Sequence, residues 1–415
     1  MTTSNAAPKR VYVWVWLPGS TEPVPAGVIE KSGEVAYFNY GRSYLERENA
    51  VSIYLPELPL QRGRIRPLQG LTIAGCFSDA GPDAWGRRVI RYRMLGTADL
   101  DSEDDDLTEL TYLLESGSDR IGAIDFQSSP KIYVPRTSEA TLAEMQEAAE
   151  RLEKGVPFSA ELEMALLHGS SVGGARPKAL LKDGVRSLIA KFSSTTDSYP
   201  VVKAEGVAME LARRVGLKVA HTEVIESLGR DVLLVERFDR TSTQGQRHSI
   251  VSALTLLELD EMFARYATYY ALVPIIQERF SNALPTLHEL FSRIVFNICV
   301  GNTDDHARNH AAFWDGTSLT LTPAFDICPQ QRSGGEAVQA MTIAPGFRYS
   351  QLAGCIKASE IYFLSKVEAR QIIDEQLEII RSQWTEACDV ARLTESERLQ
   401  LWRRQILNPY ATEGL

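Results

Sequence analysis

The chain is short of the features that would place it in several common classes. It has five cysteines, Cys76, Cys299, Cys328, Cys355 and Cys388, an odd number with no C-x-x-C spacing among them. That argues against a disulfide framework and a cysteine-ligated zinc site, and reads as buried thiols of a cytoplasmic protein. No stretch approaches the roughly 20 apolar residues that a membrane-spanning helix needs, so no membrane is expected among its partners. Residues 1–9 are polar and lack an apolar core, so they do not read as a signal peptide. Positive charge is in deficit. Lys and Arg total 44 against 54 Asp and Glu, and the net charge of −10 disfavours unaided binding to a phosphate backbone. There is no internal repeat, no low-complexity tract and no Walker A sequence.

What is present reads as two or three domains in 415 residues. The first part is β-rich: Val11 to Leu17 alternates valine with aromatics, Gly33 to Tyr40 is a second strand-like run, and Ser118 to Phe126 a third. Asp101 to Asp106 reads as a solvated acidic loop. A boundary is expected near residue 135, before a helix that opens with the capping box Thr141-x-x-Glu144 and repeats Leu142, Met145, Ala149 and Leu152. Lys178 to Lys182 and Val185 to Phe192 read as strands around Asp183-Gly184. Val202 to Val215 reads as a helix closed by Gly216, followed by strands Leu217 to Ile225 and Asp231 to Phe238 around Leu228-Gly229. Two strands, a helix and two strands, led by a Gly-rich turn, is the order of a kinase small lobe. From residue 250 the pattern is helical: Leu287, Leu290, Phe291, Ile294, Val295 and Ile298 form one stripe ending at Gly301. Ala369, Ile373, Leu377, Ile380 and Trp384 form another, after the capping box Ser365-x-x-Glu368. Leu399, Trp402 and Ile406 suggest a last short helix.

The chemistry concentrates in Gly301-Asn302-Thr303-Asp304-Asp305-His306-Ala307-Arg308-Asn309. Asp304 and Asn309 stand five apart, the spacing of a kinase catalytic aspartate and its magnesium-binding asparagine. One carboxylate can accept a hydroxyl proton while a nearby amide oxygen helps fix the metal that neutralises phosphate charge. A hairpin, Ala311 to Trp314 and Ser318 to Thr322 across Asp315-Gly316, then delivers Asp326 as the second metal-binding carboxylate. Lys191 sits in an apolar strand where a charge is costly unless paired, and Glu205 lies on the helix face of Met209 and Ala212, so the two could form a pair that orients ATP phosphates. Ser171, Val172, Gly173, Gly174 and Lys178 belong to a turn whose glycines would let backbone N–H groups approach an anion.

Two other motifs lose on context. Gly169-Ser170-Ser171-Val172-Gly173 matches a nucleophile elbow, but the elements expected before and after it are a helix and a strand, the reverse of what that elbow needs. His306 and His310 stand at i, i+4 without the glutamate of a metalloprotease between them, so His306 is expected to brace the loop by hydrogen bonding.

At these residues the chain resembles the HipA family, the kinase toxins of bacterial HipA–HipB toxin–antitoxin pairs. The matching pieces are Ser171 to Lys178, Val235-Glu236-Arg237-Phe238-Asp239-Arg240, Thr303 to Asn309 and Leu321 to Asp326, with Pro82-Asp83-Ala84-Trp85-Gly86-Arg87 in the N-terminal part. The resemblance implies an α+β, protein-kinase-like, two-lobed fold. It would comprise an N-terminal β-rich HipA-type domain over 1–135, a small lobe over 136–240 and a helical large lobe over 241–415. It implies Asp304 as base, Asn309 and Asp326 as magnesium ligands, Lys191 as the ATP lysine, Glu236 to Phe238 as the adenine hinge, and Ser171 as an autophosphorylated serine. Arg176-Pro177 departs from the family's more common Gln-Glu, which bears on that loop switch. The implied cofactors are ATP and Mg2+. The implied partners are a helix-turn-helix antitoxin of the HipB type, DNA reached only through it, and a protein substrate, aminoacyl-tRNA synthetases being among the family's substrates. A kinase-fold enzyme acting on a small molecule and a non-catalytic antitoxin-binding corepressor are the alternatives.

Overall fold

The computed structural model describes residues 7–96, 107–137, 140–156, 159, 162–163, 166, 176–194, 197–332 and 334–415. The acidic run Asp101–Asp106, most of the helix expected over 160–167, and the turn carrying Ser171, Val172, Gly173 and Gly174 lie outside the described residues. The chain divides into two compact units, one of Met1–Ser194, Asp239–Val251 and Trp314–Gly316, the other of Thr195–Phe238, Ser252–Phe313 and Thr317–Leu415.

In the first unit β1 (Arg10–Val15), β2 (Val24–Ser32), β3 (Val35–Tyr40) and β4 (Ile124–Gln127) form an antiparallel sheet in the order β3-β2-β1-β4. The strand expected from Gly33 starts only at Val35, because Gly33 takes φ 61° in the turn that pairs Ser32 with Val35. Strand β2 was not expected, since Pro25 and Gly27 interrupt its pattern. Gly27 is required there: a Cβ would sit 2.6 Å from the Phe38 ring and 2.2 Å from the Asn39 carbonyl on the neighbouring strand. The strand expected over Ser118 to Phe126 is confined to β4. Its first half is a loop built around Arg120, a fully buried guanidinium that donates to Asp125 (2.7 Å) and to the Ala80 carbonyl (3.0 Å). Desolvation lowers the Arg120 pKa to about 10, with Asp125 opposing that shift.

Helix α1 (Ala84–Leu95) starts at Asp83, whose carboxylate accepts from the Gly86 N–H, and α2 (Leu142–Glu153) opens with the capping box of Thr141 and Glu144. Strands β5 (Lys178–Asp183) and β6 (Arg186–Phe192) complete the unit. Their register pairs Asp183 with Arg186, so the turn residues are Gly184-Val185, one position later than expected. Gly184 at φ 59° supplies the left-handed first position that this tight hairpin needs.

The second unit holds α3 (Val201–Arg214), β7 (Thr222–Ser227), β8 (Arg230–Glu236), α4 (Tyr269–Arg279), α5 (Ala283–Val300), β9 (Ala311–Trp314), β10 (Leu319–Leu321) and α6 (Lys366–Val390). Its core is the α5 stripe Leu287, Leu290, Phe291, Ile294, Val295 and Ile298, none more than 1% exposed. Burying six such side chains contributes roughly 1.5–3 kcal/mol each before the entropy of ordering them is subtracted. Gly301 at φ 70° ends α5, and no side chain could replace it, because a Cβ would lie 2.6 Å from the Gln405 carbonyl. The final stripe is not one helix. Glu395–Leu401 is helical, Leu399 is 69% exposed, and Trp402 leaves the helix to pack on Trp384 with ring centroids 5.0 Å apart. The 3.6-residue spacing there ran across a helix end. Among the described residues no helix is long and apolar enough to cross a membrane.

Candidate active site

The loop after α5 turns one of two adjacent aspartates outward and the other inward. Asp304 is exposed, while Asp305 is buried. The Asp305 carboxylate is engaged through Oδ2, which accepts from the Tyr269 hydroxyl and from Asn297 Nδ2 (2.5 Å), while Oδ1 lies 2.9 Å from His310 Nε2 without hydrogen-bond geometry. A carboxylate so enclosed has no room for a substrate hydroxyl, which leaves Asp304 as the aspartate able to act on one.

Asp304 shares its surroundings with a second carboxylate, Asp326. Desolvation by the protein around it raises its carboxyl above the usual aspartate range, the His306 charge acts against that, and the Asp326 carboxylate adds to it. Two carboxylates that disfavour each other's ionisation are relieved by a cation placed between them. Asn309, in the short turn Ala307–Asn309, donates Nδ2 to the Asp304 carbonyl at 3.3 Å, which leaves its amide oxygen for a ligand. The structure therefore brings Asp304, His306, Asn309 and Asp326 together. His306 acts differently from expectation. Its backbone N–H donates to the Asp304 carbonyl and its carbonyl accepts from the Asn309 N–H, while ring Nδ1 is buried with no hydrogen-bond partner among the described residues. The bracing is done by the main chain.

Asp326 is delivered as the hairpin reading expects, with added support. The Ala324 N–H donates to the Lys218 carbonyl and its own carbonyl accepts from Ala220, so the segment pairs with the stretch leading into β7. Arg293 of α5, itself buried, donates to the Thr322 carbonyl at 2.8 Å. Asp326 takes φ 59°, a left-handed conformation uncommon for a non-glycine residue and found at functional sites. Phe325 before it lies 5.6 Å from the ring of Phe238, which also meets Phe313 at 5.9 Å. Phe238 follows Glu236, whose N–H donates to the His221 carbonyl and whose carboxylate lies 3.9 Å from His221 Nδ1. Arg237 between them is buried, as is Glu205 on α3.

In the first unit the β5–β6 register places Lys178 directly opposite Lys191, so two ammonium groups rise from one face of the hairpin. Like charges so placed are unfavourable unless anions offset them. Asp83 is such an anion: its Oδ2 lies 3.4 Å from Lys178 Nζ, both side chains being nearly fully buried. The Pro82–Arg87 motif and the end of the Gly-rich turn thus meet at one ion pair. Asp239 and Arg240, which close the Val235–Arg240 motif, serve the same unit. Asp239 accepts from the Gly122 N–H at 2.7 Å, and Arg240 donates to Asp119 and to the Arg120 and Gly122 carbonyls.

Sequence reasoning missed Asp305, Tyr269, Asn297 and His310. One signal was available: Asn297 is a lone amide in the largely apolar last turns of α5, and at 2% exposure it must have a partner.

Two family models match the chain, the HipA-like C-terminal domain over residues 170–384 and the HipA N-terminal domain over 15–127. The chain belongs to the HipA family. Among curated HipA relatives, the serine/threonine-protein kinase toxin HipA of Shewanella oneidensis is 26% identical over 185 residues, 38% of this chain and 42% of that protein. Y4mE of Sinorhizobium fredii, named as a candidate kinase, is 28% identical over 146 residues, 34% of this chain and 33% of that one. The matched stretches thus span well under half the length of these relatives. A solved structure of the Shewanella oneidensis HipA, HipB and operator DNA complex matches at a TM-score of 0.67 and 19% identity, covering 93% of this chain and 95% of that one. At that identity the match speaks to fold: the protein has the α+β, protein-kinase-like fold of HipA.

Proposed function

We propose that this HipA-family protein transfers the γ-phosphate of ATP to a serine or threonine hydroxyl of a protein. The observation that carries the reading is the pair of adjacent aspartates. Asp305 is buried and hydrogen-bonded inside the fold, and Asp304 is left exposed beside Asp326 and Asn309. Asp304 accepts the hydroxyl proton as the hydroxyl oxygen attacks phosphorus, a role worth about 10²- to 10⁴-fold in rate. Asn309 and Asp326 have the donor set to hold magnesium, which when bound would neutralise charge on the transferring phosphoryl group. Lys191 is proposed as the ATP lysine, Lys178 as a further nucleotide contact and Glu205 as the carboxylate of the lysine–glutamate pair that kinases use. Glu236, Arg237 and Phe238 receive the adenine.

The same reading extends to regulation and partners. Ser171 in the Gly-rich turn is the proposed autophosphorylation site, where up to two added negative charges would repel the ATP phosphates. A helix-turn-helix antitoxin of the HipB type is the proposed partner, with operator DNA reached through it, in a toxin–antitoxin pair of the cytoplasm. The named HipA, HipB and operator DNA complex supports this. The test of the chemistry is transfer of radiolabelled phosphate from ATP in a cell lysate, wild type beside Asp304→Asn. The variant is expected to bind MgATP within a small factor of wild type and to lose nearly all transfer. Equal labelling would remove Asp304 from its role. Intact-mass spectra of the purified protein after MgATP treatment should show added phosphate on the peptide containing Ser171, and its absence would remove only the regulatory claim.

A further inference from the structure

The outward Asp304 has an inward counterpart that none of the roles above uses. Asp305 is 3% exposed, and a polar group at that depth is costly unless it is hydrogen-bonded. Its partners come from three separate pieces of chain: Tyr269 opens α4, Asn297 lies near the end of α5, and His310 follows the loop itself. The contacts continue on both sides. His310 meets the Tyr269 ring edge-on at 5.3 Å, and its carbonyl accepts from the Ala253 N–H. Asn297 Oδ1 accepts from Asn302 Nδ2 at 2.9 Å, and the Asn302 carbonyl accepts from Gln339 Nε2 at 3.0 Å. Asn302 and Gln339 are buried as well. The result is one continuous polar chain, Tyr269–Asp305–Asn297–Asn302–Gln339, running beneath the segment that carries Asp304.

Position follows from this arrangement. Residues 304 and 305 are adjacent, so holding the Asp305 carboxylate through its two hydrogen bonds to Oδ2 holds the peptide from which Asp304 projects. The backbone bonds His306 N–H to Asp304 and Asn309 N–H to His306 then carry that placement to Asn309. A base misplaced by about 1 Å can cost on the order of 10²-fold in rate. We infer that Asp305, held by Tyr269, Asn297 and His310, is the positioning residue that sets Asp304 and Asn309 for phosphotransfer. The inference rests on the proposed kinase reading for its rate consequence, but not for its structural one.

Two variants test it in the full-length protein. Asp305→Asn keeps the size of the side chain and replaces one acceptor oxygen with a donor, and Tyr269→Phe removes a single hydroxyl and keeps the ring. The first measurement is hydrogen–deuterium exchange of the peptide covering residues 302–310, which needs no substrate. Its amides should exchange at least about tenfold faster in both variants, while the α6 amides keep wild-type protection. Unchanged exchange of that peptide in folded Tyr269→Phe would overturn the inference, whatever the protein's activity. The second measurement is steady-state phosphotransfer. The expected result is a fall in kcat of about 10- to 100-fold with KM for MgATP kept within about threefold. A loss of thermal stability alone, with wild-type kcat for the folded fraction, would reduce Asp305 to a structural role and overturn its positioning one. A wild type that transfers no phosphate at all would instead sink the kinase reading, and the exchange measurement would still decide the inference.

Discussion

Replacing Gly206 of α3 with alanine sets two well-measured effects against each other. In an exposed helix interior the change would stabilise by about 1 kcal/mol, because glycine has the greater backbone entropy to lose. Gly206 is not in such a place. A Cβ there would lie 2.5 Å from Val224 Cγ2 of β7, with Leu233 Cδ1 at 3.6 Å and Ala391 Cβ at 3.7 Å. The last two are ordinary contacts, but the first is closer than any real packing, and Val224 is a stiff β-branched side chain, itself buried. Overpacking of this kind costs about 1–3 kcal/mol, which outweighs the propensity gain. Gly206→Ala should therefore lower stability by about 1 kcal/mol net, or about 2–4 °C in Tm for a domain of this size. Val224→Ala alone should also destabilise, by loss of buried methyls. The double variant should be more stable than the sum of the two by about 1 kcal/mol or more, since the new methyl occupies space the valine vacates. Urea unfolding followed by tryptophan fluorescence provides the four free energies. A stabilised Gly206→Ala, or strict additivity in the cycle, would refute the packing argument. The outcome also concerns the site, because the same turn of α3 carries Glu205.

Two further outcomes follow from the site itself. MgATP at millimolar concentration should raise the melting temperature of the wild type by binding only the folded state, and Asp326→Ala should lose the magnesium-dependent part of that rise in a thermal-shift assay. Asp304→Asn should be more stable than wild type at pH 7 without nucleotide. The folded state raises the Asp304 pKa through desolvation and Asp326, so its favourable contribution is present at low pH and lost as pH rises through the folded value. The stabilising difference should shrink as pH falls toward the unfolded carboxyl value of about 3.9, and a constant difference across that range would rule out this cause.

Local patterns determined a great deal. The stripes of α5 and α6, the capping boxes at Thr141 and Ser365, the left-handed glycine ending α5 and the hairpin before Asp326 depend on interactions within a few residues. Such interactions are the same in any fold, so spacing alone reveals them. The i, i+5 relation of Asp304 and Asn309 belongs to this class, and it alone pointed to the loop proposed as the site. What only the tertiary structure decided were directions and partners. Spacing cannot tell Asp304 from Asp305. One became the exposed carboxylate and the other a buried anchor because Tyr269, Asn297 and His310 converge from three places in the chain. The pairing of Lys178 with Asp83 joins residues 95 positions apart, and the exposed face of the β5–β6 hairpin depends on a register that shifted by one from its expected turn. Strand β2 was hidden because its Gly27 answers to a Phe38 ring on the next strand rather than to its own propensity. The chemistry was legible wherever it needed only the right residues at the right separation. Which carboxylate is available to a ligand depended on long-range burial, which encloses Asp305 and leaves Asp304 exposed.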